Sequence, residues 1–228
     1  MKYSLCLFTF NEIKGCEYDV PNIETYHFDE VFAIDGGSTD GTIEYLKKQN
    51  IPVYIQKKRG YNSAYIEAFE KCSTDVLIVF HPKGSISPDT LLTFKTYFDN
   101  GNDLVIASRI IKGSQNEEDR KLLKPRKWFV QILSSVVSFL WRKNGYRVRD
   151  VLHGYRGMRV NSFKSIKPLD YGLSMDVEMV VRSYKLGYKC VEFPIIENVR
   201  MDGSSHFKAW PTGKNIISYL WFELNRKD

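Results

Sequence analysis

Five short apolar runs spaced through the first 110 residues constrain this chain more than any other feature. They cover residues 3–8, 30–34, 52–55, 75–80 and 103–107, and helix-forming segments lie between them. The run Asp75-Val76-Leu77-Ile78-Val79-Phe80 is apolar almost throughout, which is the pattern of a parallel strand buried on both faces. One helix runs through Ile43, Leu46 and Lys47, with Thr39 or Asp40 as its cap. A second covers 62–71 with Ala64, Ala68 and Phe69 on one face, and a third starts at Pro88. Alternation of this kind predicts an α/β fold: a mostly parallel sheet with helices on both faces.

The second half reads differently. Residues 111–127 are polar and basic, with a loop at Gly113-Ser114-Gln115-Asn116. Helices are expected over 126–142, 174–186 and 215–224, and a strand over 189–195. Residues 149–159 form a glycine-containing aromatic and basic segment. The helices at the end form a C-terminal extension of the α/β core.

Composition narrows the function classes. With 43% apolar residues in 228, the chain supports a packed core and one domain over 1–228. Cys6, Cys16, Cys72 and Cys190 show no paired spacing, and Cys6, Cys72 and Cys190, in or beside apolar segments, read as buried free thiols, which favours a reducing, cytoplasmic compartment. No signal-peptide pattern follows Met1, and no run approaches the ~20 apolar residues of a membrane span. A net charge of +6 suits anionic partners, while zinc spacings and RNA-binding signatures are missing, so nucleic acid is not expected.

The motifs lie at strand ends, where open α/β sheets bind ligands. After the second strand comes Asp35-Gly36-Gly37-Ser38-Thr39-Asp40-Gly41-Thr42. Its glycines permit a tight turn, and an exposed Asp35 would accept hydrogen bonds from a base or ribose. Read alone, the same string is a well-capped strand-to-helix turn. It resembles the Asp-Asp-Gly-Ser-Thr-Asp-Gly-Thr motif of family 2 glycosyltransferases, with Gly36 at the second Asp. Other elements of that family follow in order: Thr9-Phe10-Asn11-Glu12, Arg59-Gly60-Tyr61-Asn62, Ile106-Ala107-Ser108-Arg109, Arg149-Asp150-Val151-Leu152-His153-Gly154-Tyr155-Arg156 and Gly203-Ser204-Ser205-His206. The last three resemble the dolichyl-phosphate-mannose-synthase-like branch. The resemblance covers nearly the whole chain.

That resemblance implies a GT-A fold, with a nucleotide-binding half over 1–110 and an acceptor-binding half over 111–228. It implies that Thr9, Glu12 and Asp35 contact base and ribose, with Arg59 near the base or diphosphate. Arg109 and Arg156 would face the phosphate of donor or acceptor, and Arg200 and His206 would lie on a loop closing over the diphosphate. Each arginine alone is equally readable as a surface ion pair. Four at motif positions favour anion binding, since arginine grips phosphate through two donors.

One departure stands out. The family carries an Asp-x-Asp pair after the fourth strand and uses it to hold Mg or Mn. This chain has His81-Pro82-Lys83 there. A divalent cation on a diphosphate needs oxygen ligands, and an ammonium cannot supply one. Three readings compete: Lys83 replaces the metal's charge, other groups such as His81 hold a metal, or the site binds without reacting. The first ranks highest, so no metal ligand is assigned.

Asp176 and Glu178, opening the helix at 174–186, are the candidate general bases; as helix N-terminal acids they equally suit the macrodipole. His153 stands where the family has a small serine, as an acceptor contact or a packed residue. The run 128–141, with tryptophans at both ends and basic flanks, suits a membrane interface as well as a core or dimer helix.

The expected function is inverting transfer of a sugar from a nucleoside-diphosphate sugar to a polyprenyl phosphate or a lipid-linked or surface glycan. The expected place is the cytoplasmic face of a membrane, with peripheral docking or a membrane partner, and a homo-oligomer is an open option. The alternatives are a catalytically inactive nucleotide-sugar- or glycan-binding protein and a nucleotidyltransferase; the latter is disfavoured because no glycine-rich basic loop follows the first strand.

Overall fold

The computed structural model describes residues 1–120, 122–170, 172–201 and 209–226. In chain order the elements are β1 (Tyr3–Thr9), α1 (Ile13–Asp19), β2 (Glu30–Asp35), α2 (Thr42–Lys48), β3 (Val53–Ile55), α3 (Tyr61–Lys71), β4 (Val76–Phe80), α4 (Leu91–Asp99) and β5 (Leu104–Ser108). Then follow α5 (Pro125–Trp141), β6 (Arg156–Arg159), α6 (Val160–Ile166), α7 (Met175–Leu186), β7 (Cys190–Pro194) and α8 (Ala209–Asn225). Short 3-10 turns connect some of them.

The strands form one sheet in the order β3-β2-β1-β4-β6-β5-β7. All neighbours are parallel except β6, which runs antiparallel between β4 and β5. The mostly parallel α/β sheet expected from the alternation is therefore present, with one inserted antiparallel strand. Because side chains alternate along a strand, the central strands feed two cores. Cys6, Phe8, Leu77, Val79, Leu104 and Ile106 point to the face covered by α3, α5 and α7. Leu5, Leu7, Ile78, Phe80, Val105 and Ala107 point to the face covered by α1, α2 and α4.

Three elements are additions to the reading of the sequence. Helix α1 lacks an apolar period and contains Gly15, so nothing local announces it. Strand β6 is Arg-Gly-Met-Arg. Its Gly157 admits the Phe98 ring, which a Cβ there would approach to 2.9 Å. Arg159 projects its guanidinium to the carbonyls of Asn102 and Phe98 at 2.9 Å each. Helix α6 follows β6 directly and packs Phe163 face to face on Phe69, with ring centroids 3.6 Å apart.

Register positions the site. Phe80 ends β4, Thr9 ends β1 and Asp35 ends β2, and Thr9 pairs with Asp35 while Leu7 pairs with Phe80. The motif loops after β1, β2 and β4 therefore emerge side by side at the carboxyl ends of the parallel strands.

Candidate active site

The turn after β2 is built around Asp35. Its carboxylate is fully buried and accepts four hydrogen bonds: from the amides of Gly37 (2.8 Å) and Ser38 (2.7 Å), the Ser38 hydroxyl (2.7 Å) and the Thr9 hydroxyl (2.6 Å). This corrects the expectation of an exposed Asp35. Both oxygens are spent on holding the turn and Thr9 together, so Asp35 shapes this floor from beneath. At Gly36, the place of the family's second Asp, a Cβ would come 3.0 Å from the Phe10 ring. Phe10 thus covers the space that a larger residue would need. Arg59, exposed, lies over the same turn, with Nη2 2.9 Å from where a Gly37 Cβ would be. Asp40 accepts from the Thr42 amide at 3.1 Å and from the Ile13 amide at 3.0 Å, tying α1 to the start of α2.

The turn after β4 carries His81, Pro82, Lys83 and Gly84. It leans on α1 so closely that a Cβ at Gly15 would sit 2.3 Å from the Pro82 carbonyl oxygen and 2.8 Å from the Lys83 Cα. Both neighbours are backbone and cannot rotate away. Gly15→Ala is accordingly expected to push the turn outward, at a cost of about 1–3 kcal/mol. A denaturation curve checks the stability, and unchanged stability with unchanged donor binding would show that the turn tolerates displacement.

A strap at residues 196–201 runs along this turn. The Asn198 amide donates to the Ser85 carbonyl at 2.8 Å and the Met201 amide to the Lys83 carbonyl at 3.0 Å. The strap brings Arg200 to Glu12, Nη2 to Oε1 at 2.6 Å. Lys83, Arg200 and Glu12 thus share one corner. Burial lowers the Lys83 pKa, Arg200 lowers it further, and Glu12 and Glu197 oppose the shift. His206 lies outside the described residues.

Beneath them is a buried polar floor. The His81 ring stands edge-on to Phe8 at 5.6 Å and nearly parallel to Tyr61 at 6.4 Å. Burial, then the Lys83 charge, holds this imidazole neutral, its pKa well below the usual histidine range. The Tyr61 hydroxyl donates to the Asp176 carboxylate, 3.0 and 2.9 Å from its two oxygens, and Tyr65 donates to the Gly154 carbonyl at 2.9 Å. Gly154 lets this floor close up: a Cβ there would lie 2.5 Å from the Tyr61 hydroxyl and 2.8 Å from the His81 Nε2, so both rings would have to shift.

Two arginines expected on phosphate are engaged by the protein. Arg156 is fully buried. Its donors go to the carbonyls of His153 (2.7 Å), Asp176 (2.6 Å) and Val151 (3.3 Å), and Nε lies 3.3 Å from Asp176 Oδ1. This corrects its expected phosphate-facing place: the guanidinium braces the 151–156 segment against α7. Arg109 grips Asp150 through Nε (2.9 Å) and Nη2 (3.0 Å), and Nη1 reaches Glu197 at 3.4 Å. Asp150, itself fully buried, is held down to about 2: burial raises its pKa, but the Arg109 charge overrides this. Arg109 keeps 18% side-chain exposure, with its three guanidinium nitrogens engaged by Asp150 and Glu197.

The two candidate bases separate. Residues two apart on a helix point about 200° apart. Asp176 faces Tyr61, and burial, partly offset by Arg156, raises its pKa. Glu178 faces Arg182 at 2.5 Å and accepts the Leu169 amide at 2.9 Å. Burial pushes Glu178 up to about 7. Glu178 thus belongs to an ionic cluster with Arg182 and Glu223 that joins α7 to α8, and its expected place as a base is corrected. His153 is packed, its Nδ1 against the Ala107 carbonyl, and burial lowers its pKa to about 3.

The donors at the β4 turn do not fit a divalent cation. An imidazole and an ammonium replace carboxylates, and no group of three His, Cys, Asp or Glu suited to a metal occurs among the described residues. Tyr61, Tyr65, Gly15 and Asp19 were missed in the sequence. Tyr61 alone had a signal, its place after Arg59-Gly60.

The fold and the grouping of motif loops at the carboxyl ends of the parallel strands define a GT-A glycosyltransferase architecture. The solved structure of glucosyl-3-phosphoglycerate synthase from Mycobacterium tuberculosis with phosphoglyceric acid superposes with a TM-score of 0.77 at 15% identity, covering 100% of this chain and 81% of that one. The chain belongs to glycosyl transferase family 2, whose model matches residues 4–167. Among similar proteins, the dolichol-phosphate mannosyltransferase of Pyrococcus furiosus is 25% identical over 96% of this chain, which spans only 62% of that protein's length. The undecaprenyl-phosphate mannosyltransferase of Micrococcus luteus is 25% identical over 92% of this chain and 89% of its own.

Proposed function

We propose that this chain transfers a sugar, with inversion, from a nucleoside-diphosphate sugar to a polyprenyl phosphate, and that Lys83 supplies the charge that a metal supplies elsewhere in the family. The observation that carries this is the clustering of Lys83 and Arg200 at the end of β4, with Glu12 as their acidic neighbour. The mannosyltransferases named above support the acceptor class. In the reaction the acceptor phosphate oxygen bonds to the anomeric carbon from the face opposite the leaving group. The carbon–oxygen bond to the diphosphate breaks, and its electron pair goes to the departing phosphate oxygen. Lys83 and Arg200 neutralise the charge developing there. The acceptor phosphate is already an anion, so no base is needed. Thr9 and Glu12 line the nucleotide end with Arg59, while Asp176, His81 and Tyr61 form the floor beneath the sugar.

Docking of the acceptor's lipid is supported by an uncovered apolar face. On α5, Trp128, Ile132, Val136 and Phe139 recur at helical spacing, with Phe139 88% exposed. On α8, Ile217 and Trp221 are exposed likewise. Lys124 and Lys127 are bound to Asp119, and Arg126 to Glu117. Exposed basic groups therefore remain at the other end of α5, at Arg142, Lys143 and Arg147. No helix among the described residues is long and apolar enough to cross a membrane, so interfacial docking is the proposed mode. Phe139→Glu is expected to lower cosedimentation with phosphatidylglycerol vesicles about tenfold or more, since it removes apolar area and adds a like charge. Equal sedimentation would remove α5 from the interface.

The test of function is a panel of nucleotide sugars with polyprenyl phosphate, with and without chelator. Chelator-resistant transfer supports the reading. Donor binding without transfer to any acceptor would instead indicate a binding protein, and strict dependence on added metal would remove Lys83 from its assigned role.

A further inference from the structure

The turn that carries Lys83 has an anchor on a helix that the family motifs do not reach. Asp19, the last residue of α1, is 1% exposed. Its Oδ2 accepts the Gly84 amide at 2.8 Å. Its Oδ1 has no hydrogen-bonding partner among the described residues. A buried carboxylate without a cation is costly and is retained where its acceptor capacity is used. Gly84 has φ of +67°, a left-handed conformation, and its amide is the one that meets Asp19. The same turn is pressed on by Gly15 from beneath and by Met201 from above, where a Gly84 Cβ would meet Met201 Cγ at 2.1 Å.

We infer that Asp19 is the positioning residue of the β4 turn: by clamping the Gly84 amide to α1 it aims the side chain of the preceding residue, Lys83, at the donor diphosphate. This rests on the role given to Lys83 above. Asp19 holds the backbone from inside and leaves the ammonium pointing to the corner of Arg200 and Glu12. A carboxylate is suited to this because a charge-assisted hydrogen bond to an amide is stronger than a neutral one.

Geometry makes the clamp pH-sensitive. Burial raises the Asp19 pKa to about 6, while the Gly84 amide opposes the shift. The titratable groups facing it are Cys16 on α1 and Tyr155 on the segment entering β6, and burial raises both pKa values so that they stay neutral. Lys83 faces it from the turn through its backbone. Protonation of Asp19 as pH falls through about 6 therefore weakens the clamp, with no charged side chain among the described residues contributing to its shift.

The experiment uses the full chain labelled with nitrogen-15, and uridine and guanosine diphosphates as probes. In the unmodified chain the Gly84 amide resonance is expected to titrate with a midpoint near 6, and the better-bound probe to weaken below that pH. In Asp19→Asn the amide shift loses its titration, and the probe binds about tenfold more weakly at neutral pH, as loss of a charged acceptor predicts. Lys83→Ala separates the two ideas. If Lys83→Ala weakens binding and Asp19→Asn does not, the inference falls while the role of Lys83 stands. If neither changes binding, the role of Lys83 falls and the inference with it. If Asp19→Asn does not fold, a Gly84 amide in the unmodified chain that ignores pH between 5 and 8 overturns the inference.

Discussion

Lys83→Ala is expected to lower sugar transfer by two to three orders of magnitude while leaving the fold intact, the scale on which one preorganised charge at a developing anion acts. Its amine sits at a turn rather than in the core, so truncation opens no cavity among the packed strands. Donor affinity should fall less than turnover, because charge on the leaving diphosphate grows as the bond breaks. The pH dependence gives a sharper reading. Burial and Arg200 lower the Lys83 pKa, so its charge is lost earlier on the alkaline side than for an exposed lysine. Transfer should therefore fall as pH rises, and Lys83→Arg should move that limb upward, since a guanidinium stays charged. A steady-state profile of both chains decides it. An alkaline limb unmoved by Lys83→Arg, or full activity in Lys83→Ala, would end the assignment.

Arg156→Ala is expected to act on stability before it acts on anything else. The side chain is fully buried, and its removal strands the Asp176 carboxylate and three carbonyl oxygens. Breaking one partner of a buried charged pair costs about 3–5 kcal/mol. In a domain of this size each kcal/mol moves the melting temperature by roughly 2–4 °C, so a drop of roughly 6–20 °C should be seen by thermal denaturation. Arg156→Lys should recover little, because one ammonium cannot reach carbonyls in three directions. A chain of normal stability that had lost only diphosphate or acceptor binding would restore the phosphate-facing role.

The two arginines show where a sequence is legible and where it is not. Arg156 and Arg109 both sit in family motifs and looked alike as phosphate ligands. Arg156 is drawn inward because β6 runs antiparallel between β4 and β5, which buries its side chain among the 151–156 carbonyls and α7. Arg109 is held by Asp150 across 41 residues of sequence. Spacing implies neither set of partners: Asp150 lies far from Arg109 along the chain, and Arg156 is shared between nearby carbonyls and Asp176 on α7. Asp35 carries the same lesson. Its motif identified the right loop, yet burial turns its carboxylate to four protein donors. Helix α1, with no apolar period, left no trace from which Asp19 or the need for glycine at position 15 could be read.

By itself the sequence determined the alternation of strand and helix, the mostly parallel sheet, the family and the loops that gather at the carboxyl ends of the parallel strands. These follow from local patterns: apolar runs, turn glycines and motif strings, each written in contiguous residues. The tertiary structure decided which charged groups face solvent and which are consumed as internal partners. It separated Asp176 from Glu178, set Arg200 on Glu12 and brought α1 beneath Lys83. The reason is physical. A charged side chain is committed by burial and by the partners it meets across the fold, and both depend on the strand order of the sheet.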